Sequence, residues 1–290
     1  MTFASTRRLA AAARAGGYAI PAVNIVDQLS LQATVAAAQA ANSPIILQTS
    51  VKTLKVVGAA QLAAAARIAA DAVDVPVALH LDHCPDRAVI TEAIAQGWSS
   101  VLFDASDRGL DQAWAETREV VQEAHAAGVD VESEIENIVG VEDGVGSDEA
   151  THAYSVDTLL EVANDTGTDL LAPQLGTAHG LYTANPTLLF ERASEFASRT
   201  DIPIVLHGGT GLSADDFARF IASGTSKINI STALKLAYLH SAHRHLVAAE
   251  ASGKWEPVKL FADQVEAVTA TVTEHIDLFG SRDKANGAAA

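Results

Sequence analysis

The chain has a single cysteine, Cys84, among 290 residues. No intrachain disulfide can form, so the fold must rest on its own core, and a reducing compartment suits it. Aromatic residues are scarce, at 5% against 49% hydrophobic overall. The apolar content is therefore mostly Ala, Val, Leu and Ile, as many short strands under alanine-rich helices would need. Basic residues are outnumbered, 19 Lys and Arg against 36 Asp and Glu, for a net charge of −17. A surface of that sign argues against nucleic acid and anionic membrane as partners, and it obliges any phosphorylated ligand to find local donors. No apolar run is long enough to cross a bilayer. There is no linker rich in Pro, Gly or Ser and no charge block. The basic, amphipathic start MTFASTRRLAAAARAGG lacks both an apolar core and a cleavage site, and it leads directly into strand-like YAIPAVN. It reads as a first helix rather than a targeting peptide, and the expected location is the cytoplasm.

What the sequence does have is a rhythm. Short β-rich runs stand at 18–24, 44–50, 75–82, 99–105, 128–134, 168–176, 202–208 and 225–231. Helical patterns lie between them near 28–42, 58–73, 86–96, 110–127, 155–165, 187–199 and 213–223, with a long one from 232. Eight strands, each followed by a helix, imply a parallel sheet with right-handed crossovers. The expected class is α/β, a (β/α)8 barrel of the TIM type in preference to an open sheet. One barrel domain would span 1–290, with a helical extension at about 255–280 that offers an oligomer contact.

Polar residues gather at the ends of these strands: Asn24, Gln48, Ser50, His80, Asp82, His83, Asp104, Glu132, Glu134, His207 and Asn229. Buried carboxylates and imidazoles are costly unless paired or bound to metal. In such barrels the C-terminal rim carries the chemistry.

Three segments give that rim its character. In HLDHC (80–84), His80 and Asp82 share a strand face and His83 begins the loop; a metal ligand beside a free carboxylate and a structural Asp–His pair are both open readings. In GTAHG (176–180), glycines flank His179, which is either a ligand or a solvated loop residue. In HGGTGL (207–212), His207 ends an apolar strand before a glycine-rich turn suited to an anion, and Ser213 is placed to cap the next helix. Three histidines at one rim have the ligand count of a catalytic zinc site, with one position left open for substrate. Asp104, Glu132 and Glu134 are placed to orient them or to hold a second cation. KINIST (227–232) opens a helix near Asn229, Ser231 and Thr232, a second cradle for phosphate. His240, His243 and His245 on the last long helix read as a solvated or interface cluster, and His125, His152 and His275 as superficial.

Taken in order, YAIPAVNI, VALHLDHC, LGTAHGLY, IVLHGGTGL and KINIST resemble the class II, metal-dependent fructose/tagatose-bisphosphate aldolases over nearly the whole chain. The resemblance implies one Zn2+ on His83, His179 and His207, with Asp82 transferring protons. It implies that Gly180, Gly208, Gly209, Thr210, Asn229, Ser231 and Thr232 hold the ketone-side phosphate and its neighbours, joined by Ser50, and that Asn24 touches substrate. It further implies a monovalent cation, Na+ or K+, near Gly180 and the HGGTG backbone, a homodimer or homotetramer, and Glu142 in a mobile loop as the acid that protonates the cleaved product.

The chain departs from the family pattern at Glu134-Ile135-Glu136 and Val139-Gly140, at Ser106-Asp107 and at Ala233. The departures bear on the aldehyde half of the substrate. Three other readings stand beside the aldolase. They are a metal-dependent hydrolase, a sugar-phosphate binder without activity, and a Schiff-base aldolase, for which Lys227 is the candidate lysine but lies early in its strand.

Overall fold

The alternation of strand and helix closes on itself. The computed structural model describes residues 3–142, 145–147, 152–182 and 186–288. Its strands in chain order are β1 (Ile20–Asn24), β2 (Ile45–Ser50), β3 (Val77–Cys84), β4 (Ser100–Asp104), β5 (Asp130–Glu134), β6 (Gly140–Glu142), β7 (Val145–Ser147), β8 (Leu170–Leu171), β9 (Ile204–Leu206) and β10 (Thr225–Ile230). All except β6 and β7 form one closed parallel barrel, in the order β1-β10-β9-β8-β5-β4-β3-β2. β6 and β7 make an antiparallel hairpin that the sequence did not announce. Register sets the polar strand ends at one level: Asn24 pairs with Gln48, Ser50 with Asp82, and Asp104 with Glu134.

Helices α1 (Thr6–Gly16), α2 (Gln28–Ala40), α3 (Val51–Val57), α4 (Ala59–Asp71), α5 (Arg87–Gln96), α6 (Leu110–Ala126), α7 (Val156–Thr166), α8 (Phe190–Arg199), α9 (Ala214–Ala222), α10 (Thr232–Ser252), α11 (Pro257–Leu278) and α12 (Ala285–Ala288) complete the chain. The main hydrophobic core joins the outer faces of the strands to helix residues such as Leu31, Ile90, Val120 and Phe196. Two smaller clusters lie apart from it. In one, Leu9 and Ala13 of α1 pack on Ile20, Ala22, Ile46 and Ala78; in the other, Ala10 packs on Leu170, Ala172 and Val205. Thr6 Oγ1 lies 2.6 Å from Ser100 Oγ, and Ser5 Oγ donates to Asp130 Oδ2 at 2.7 Å. Ser100 and Asp130 begin their strands, so α1 stoppers the N-terminal mouth of the barrel.

Two expectations need adjustment. The sixth barrel strand was expected over 168–176 and is reduced to Leu170–Leu171. Pro173 has no N–H to give a ladder, and the amide of Gln174 is taken by Glu136 Oε2 at 3.0 Å. The seven-residue α3 stands between β2 and α4, where the sequence reading placed no element; Ser50 caps it by accepting from the Thr53 amide. The expected extension at about 255–280 is α11. It packs on α2 and α10, burying Val268, Val272 and Ile276 at helical spacing.

Candidate active site

The site begins with an irregularity in β3. Strict alternation would point His80 and Asp82 into the barrel and His83 out of it. Instead the pairing with β4 slips between Leu81 and Cys84, and His83 takes φ 41°. A bulge of this kind re-aims a side chain, and a non-glycine residue in the left-handed region costs about 1–3 kcal/mol that the surroundings must offset. The result is that consecutive residues, Asp82 and His83, serve the same interior. Both are buried.

Two further histidines join them across loops that only glycine lets close. His179 donates its amide to Val139 O at 2.8 Å. A Cβ on Gly208 (φ 67°) would stand 2.4 Å from Ala178 O, and one on Gly140 (φ 104°) 2.7 Å from His179 O. The ring centroids of His83 lie 4.8 Å from those of His179 and 4.7 Å from those of His207, with His179 and His207 5.9 Å apart. One ligand atom from each ring falls within 4.8 Å of the others. His83 Nε2 and His207 Nδ1 are buried without a hydrogen-bond partner. Such nitrogens are costly left unmet, and their donor set suits a divalent ion of the zinc type.

Carboxylates surround this cluster. Asp104 Oδ2 lies 3.1 Å from His83 Nδ1, while Ser106 donates to Asp104 Oδ1 through both its amide and its hydroxyl. Glu134 Oε2 is 3.6 Å from His83 Nδ1 and 3.2 Å from His207 Nδ1. His83, Asp104 and Glu134 thus form a second group with ligand atoms within 4.8 Å. Electrostatics follow from these distances. Burial alone would make His83 neutral, but Asp82, Glu134 and Asp104 together raise its pKa well above the usual range. Asp104 is held at about 2 by the hydrogen bond and charge of His83 and by Ser106, against the effect of burial. Burial pushes Glu134 well above the carboxylate range, against the pull of His83. Burial, then the charges of His83 and Lys227, lower His207 well below the imidazole range.

Asp82 accepts through both oxygens, from Asn24 Nδ2 at 2.7 Å and from Asn229 Nδ2 at 3.2 Å. Gln48 Nε2 in turn holds Asn24 Oδ1 at 2.7 Å. Glu132, His80 and Lys227 lie alongside, all fully buried. Lys227 is neither free nor in an apolar pocket. Its Nζ is 2.9 Å from Glu132 Oε2 and donates to Asn229 Oδ1 at 2.8 Å, so the Schiff-base candidate is a paired ammonium.

The glycine-rich turn and the start of α10 form the remaining side. Gly208 and Gly211 take φ 67° and 101°, conformations that glycine adopts freely. Ser231 precedes α10 without capping it, and its hydroxyl is buried and unpartnered. A helix start with free amides and an idle hydroxyl is a ready seat for an anion. Gly209, Thr210 and Thr232 line up in the same two segments, and a Cβ on Gly180 (φ 81°) would meet nothing within 4 Å among the described residues. Tyr182 Oη donates to Gly208 O at 2.5 Å, tying the loop after β8 to the loop after β9. Sequence reading passed over this tyrosine, though LGTAHGLY contains it.

The segments that depart from the family pattern have their own uses. Glu136 accepts from the amides of Tyr154 and Gln174 and from Arg192 Nη2 at 2.9 Å, tying the segment before α7 to the loop after β8. Asp107 pairs with Arg108. Ser50 spends its hydroxyl on α3. The side chain of Glu142 lies outside the described residues. His275, expected to be superficial, is half-buried: Nδ1 donates to Thr271 O at 2.8 Å and the ring meets Phe279 edge-on.

Comparison with known proteins gives a consistent result. The family model described as fructose-bisphosphate aldolase class-II matches residues 4–284. D-tagatose-1,6-bisphosphate aldolase subunit GatY of Klebsiella oxytoca is 37% identical over 239 residues, 82% of this chain and 84% of that protein. A fructose-bisphosphate aldolase of Streptococcus pneumoniae is 33% identical over 300 residues, covering 98% of this chain and all of its own. Among solved structures, the YdjI aldolase of Escherichia coli K12 superposes with a TM-score of 0.84 at 29% identity, covering 98% of this chain and 100% of that one.

Proposed function

This chain belongs to the class II fructose-bisphosphate aldolase family, and on that premise we propose that it is a zinc-dependent lyase for a ketose bisphosphate of the fructose or tagatose type. The observation that carries the reading is the convergence of His83, His179 and His207 on one centre, with Asp82 next to His83 in the chain and buried as they are.

Zinc held by the three imidazoles would supply Lewis acidity toward the ketose carbonyl, drawing off the electron pair released when C3–C4 breaks. The protein's part is to move protons and fix the sugar. Asp82, steadied by Asn24 and Asn229, takes the proton of the C4 hydroxyl as that carbon becomes an aldehyde. A proton must then reach C3 to give dihydroxyacetone phosphate, and Glu142 is assigned that delivery. The ketone-side phosphate is assigned to Gly208, Gly209, Thr210, Ser231 and Thr232, with Asn229 and Gly180 completing the substrate contacts; Ser50 would join them by giving up its bonds to Thr53. Aligned amides would thus meet the anion on a chain whose net charge is −17. Asp104 and Glu134 orient His83 or share a second cation with it. Na+ or K+ beside Gly180 and the 207–211 backbone, assembly as a homodimer or homotetramer, one barrel domain over 1–290, and a cytoplasmic setting complete the proposal.

The test is direct. Zinc-loaded protein should release dihydroxyacetone phosphate from fructose or tagatose 1,6-bisphosphate, and chelation should stop it. Phosphate release without carbon–carbon cleavage would favour a hydrolase and overturn the reading.

A further inference from the structure

One buried charge has no part in the reaction as written. Lys227 sits in the middle of β10, fully excluded from water. A buried ammonium survives only when paired and hydrogen-bonded. Its two partners lead to opposite halves of the site. Glu132 faces Lys227 through Oε2 at 2.9 Å, and its other oxygen lies 2.9 Å from His207 Nε2. A proton on Nε2 leaves Nδ1 as the ring's ligand atom, the nitrogen that has no hydrogen-bond partner. Asn229 accepts from Lys227 through Oδ1 and donates through Nδ2 to Asp82. An amide turned by half a rotation would aim its oxygen at the Asp82 carboxylate. An ammonium can only donate, so Lys227 forbids that turn.

The geometry points to Lys227 as a positioning residue of this site, holding His207 through Glu132 on one side and Asp82 through Asn229 on the other. The inference rests on the reading of His207 as a metal ligand and Asp82 as the proton acceptor. The neighbouring base is no substitute. His80 Nε2 stands 3.6 Å from Glu132 Oε2, and its Nδ1 is engaged with Ser100 Oγ at 2.7 Å. Lys227, at 0% exposure, touches neither the three imidazoles nor the phosphate turns by any hydrogen bond or ion pair among the described residues.

Two variants separate the two arms. Lys227→Met keeps length and bulk but removes the cation, leaving Glu132 buried and unbalanced. In Lys227→Met with Glu132→Gln, the glutamine carbonyl can still accept from His207 and its NH2 can face His80, so charge balance returns while Asn229 remains unpinned. Zinc affinity is measured by competition with a chelating dye, with no sugar present, and turnover is measured on zinc-saturated protein. K227M should bind zinc roughly 10–100-fold more weakly. The double variant should regain near wild-type affinity yet stay at least about tenfold down in turnover. A K227M protein with wild-type zinc affinity and turnover overturns the inference, as does a double variant that recovers neither affinity nor fold. If K227M alone fails to fold, the double variant decides, and wild-type turnover in it refutes the Asn229 arm. Wild-type protein that binds no zinc, or that cleaves no ketose bisphosphate, removes the underlying reading instead.

Discussion

Asn229 reaches Asp82 across 147 positions of sequence, donating from Nδ2 to Oδ1 at 3.2 Å. With Asn24 on the other oxygen, the carboxylate is fixed in direction while its neighbour His83 faces the other histidines. On the proposed mechanism, proton transfer and metal binding occupy adjacent residues with separate supports, and they should separate on mutation.

Asp82→Ala should leave zinc bound and lower turnover by roughly a hundredfold or more, the usual weight of general acid–base assistance. Metal content by elemental analysis and steady-state kinetics on the same sample check it. Unchanged turnover would take Asp82 out of the mechanism.

Gly208→Ala should weaken both metal binding and stability, because its Cβ would meet Ala178 O at 2.4 Å. The control is Gly253→Ala, which has nearly the same φ (68° against 67°) but nothing within 4 Å. Both carry the backbone cost of about 1 kcal/mol, and only the first should push apart the loops bearing His179 and His207. Thermal melting with and without zinc compares them; equal losses in the two variants would contradict the close-packing argument.

The metal-free protein should be most stable near pH 6.5, about the histidine pKa of an unfolded chain. Below that pH the unfolded chain binds protons that His80 and His207, whose pKa values are lowered, do not. Stability therefore falls as pH falls. Above it, His83, whose pKa is raised, must give up a proton held in the fold, and stability falls as pH rises; Glu134, raised from 4.5, works in the same direction from that lower pH. Zinc competes with the proton on His83 and should move the maximum to higher pH. Denaturant titrations at several pH values, with and without zinc, test the sign on each side.

Chelation should abolish cleavage, and borohydride with substrate should label no lysine, since Lys227 is held by Glu132 and Asn229. Returning zinc at a thousandfold excess over its Kd should stabilise the fold by about 4 kcal/mol. Mass spectrometry of the borohydride-treated protein and melting curves provide the measurements.

Much of this was legible in the sequence because the relevant physics is local. Eight alternating units, apolar strand starts and polar strand ends require only period and composition, and the barrel follows from them. Asp82, His83, His179 and His207 could be named because each ends a strand or stands between glycines. What escaped depends on partners far away in the chain. Nothing within HLDHC says that β3 bulges against β4 so that His83 turns inward. The shortness of β8 depends on Glu136 capturing an amide 38 positions on. Lys227 read only as a Schiff-base candidate early in its strand, because Glu132 lies on another strand. Alternation along Lys227-Ile228-Asn229 did hold the clue, since it puts the lysine directly beneath the asparagine.

With α1 set like a cork in the floor, the described residues close the barrel at that end. On the proposed reaction, a sugar would reach the imidazoles past the rim loops, and both fragments would leave by the same route.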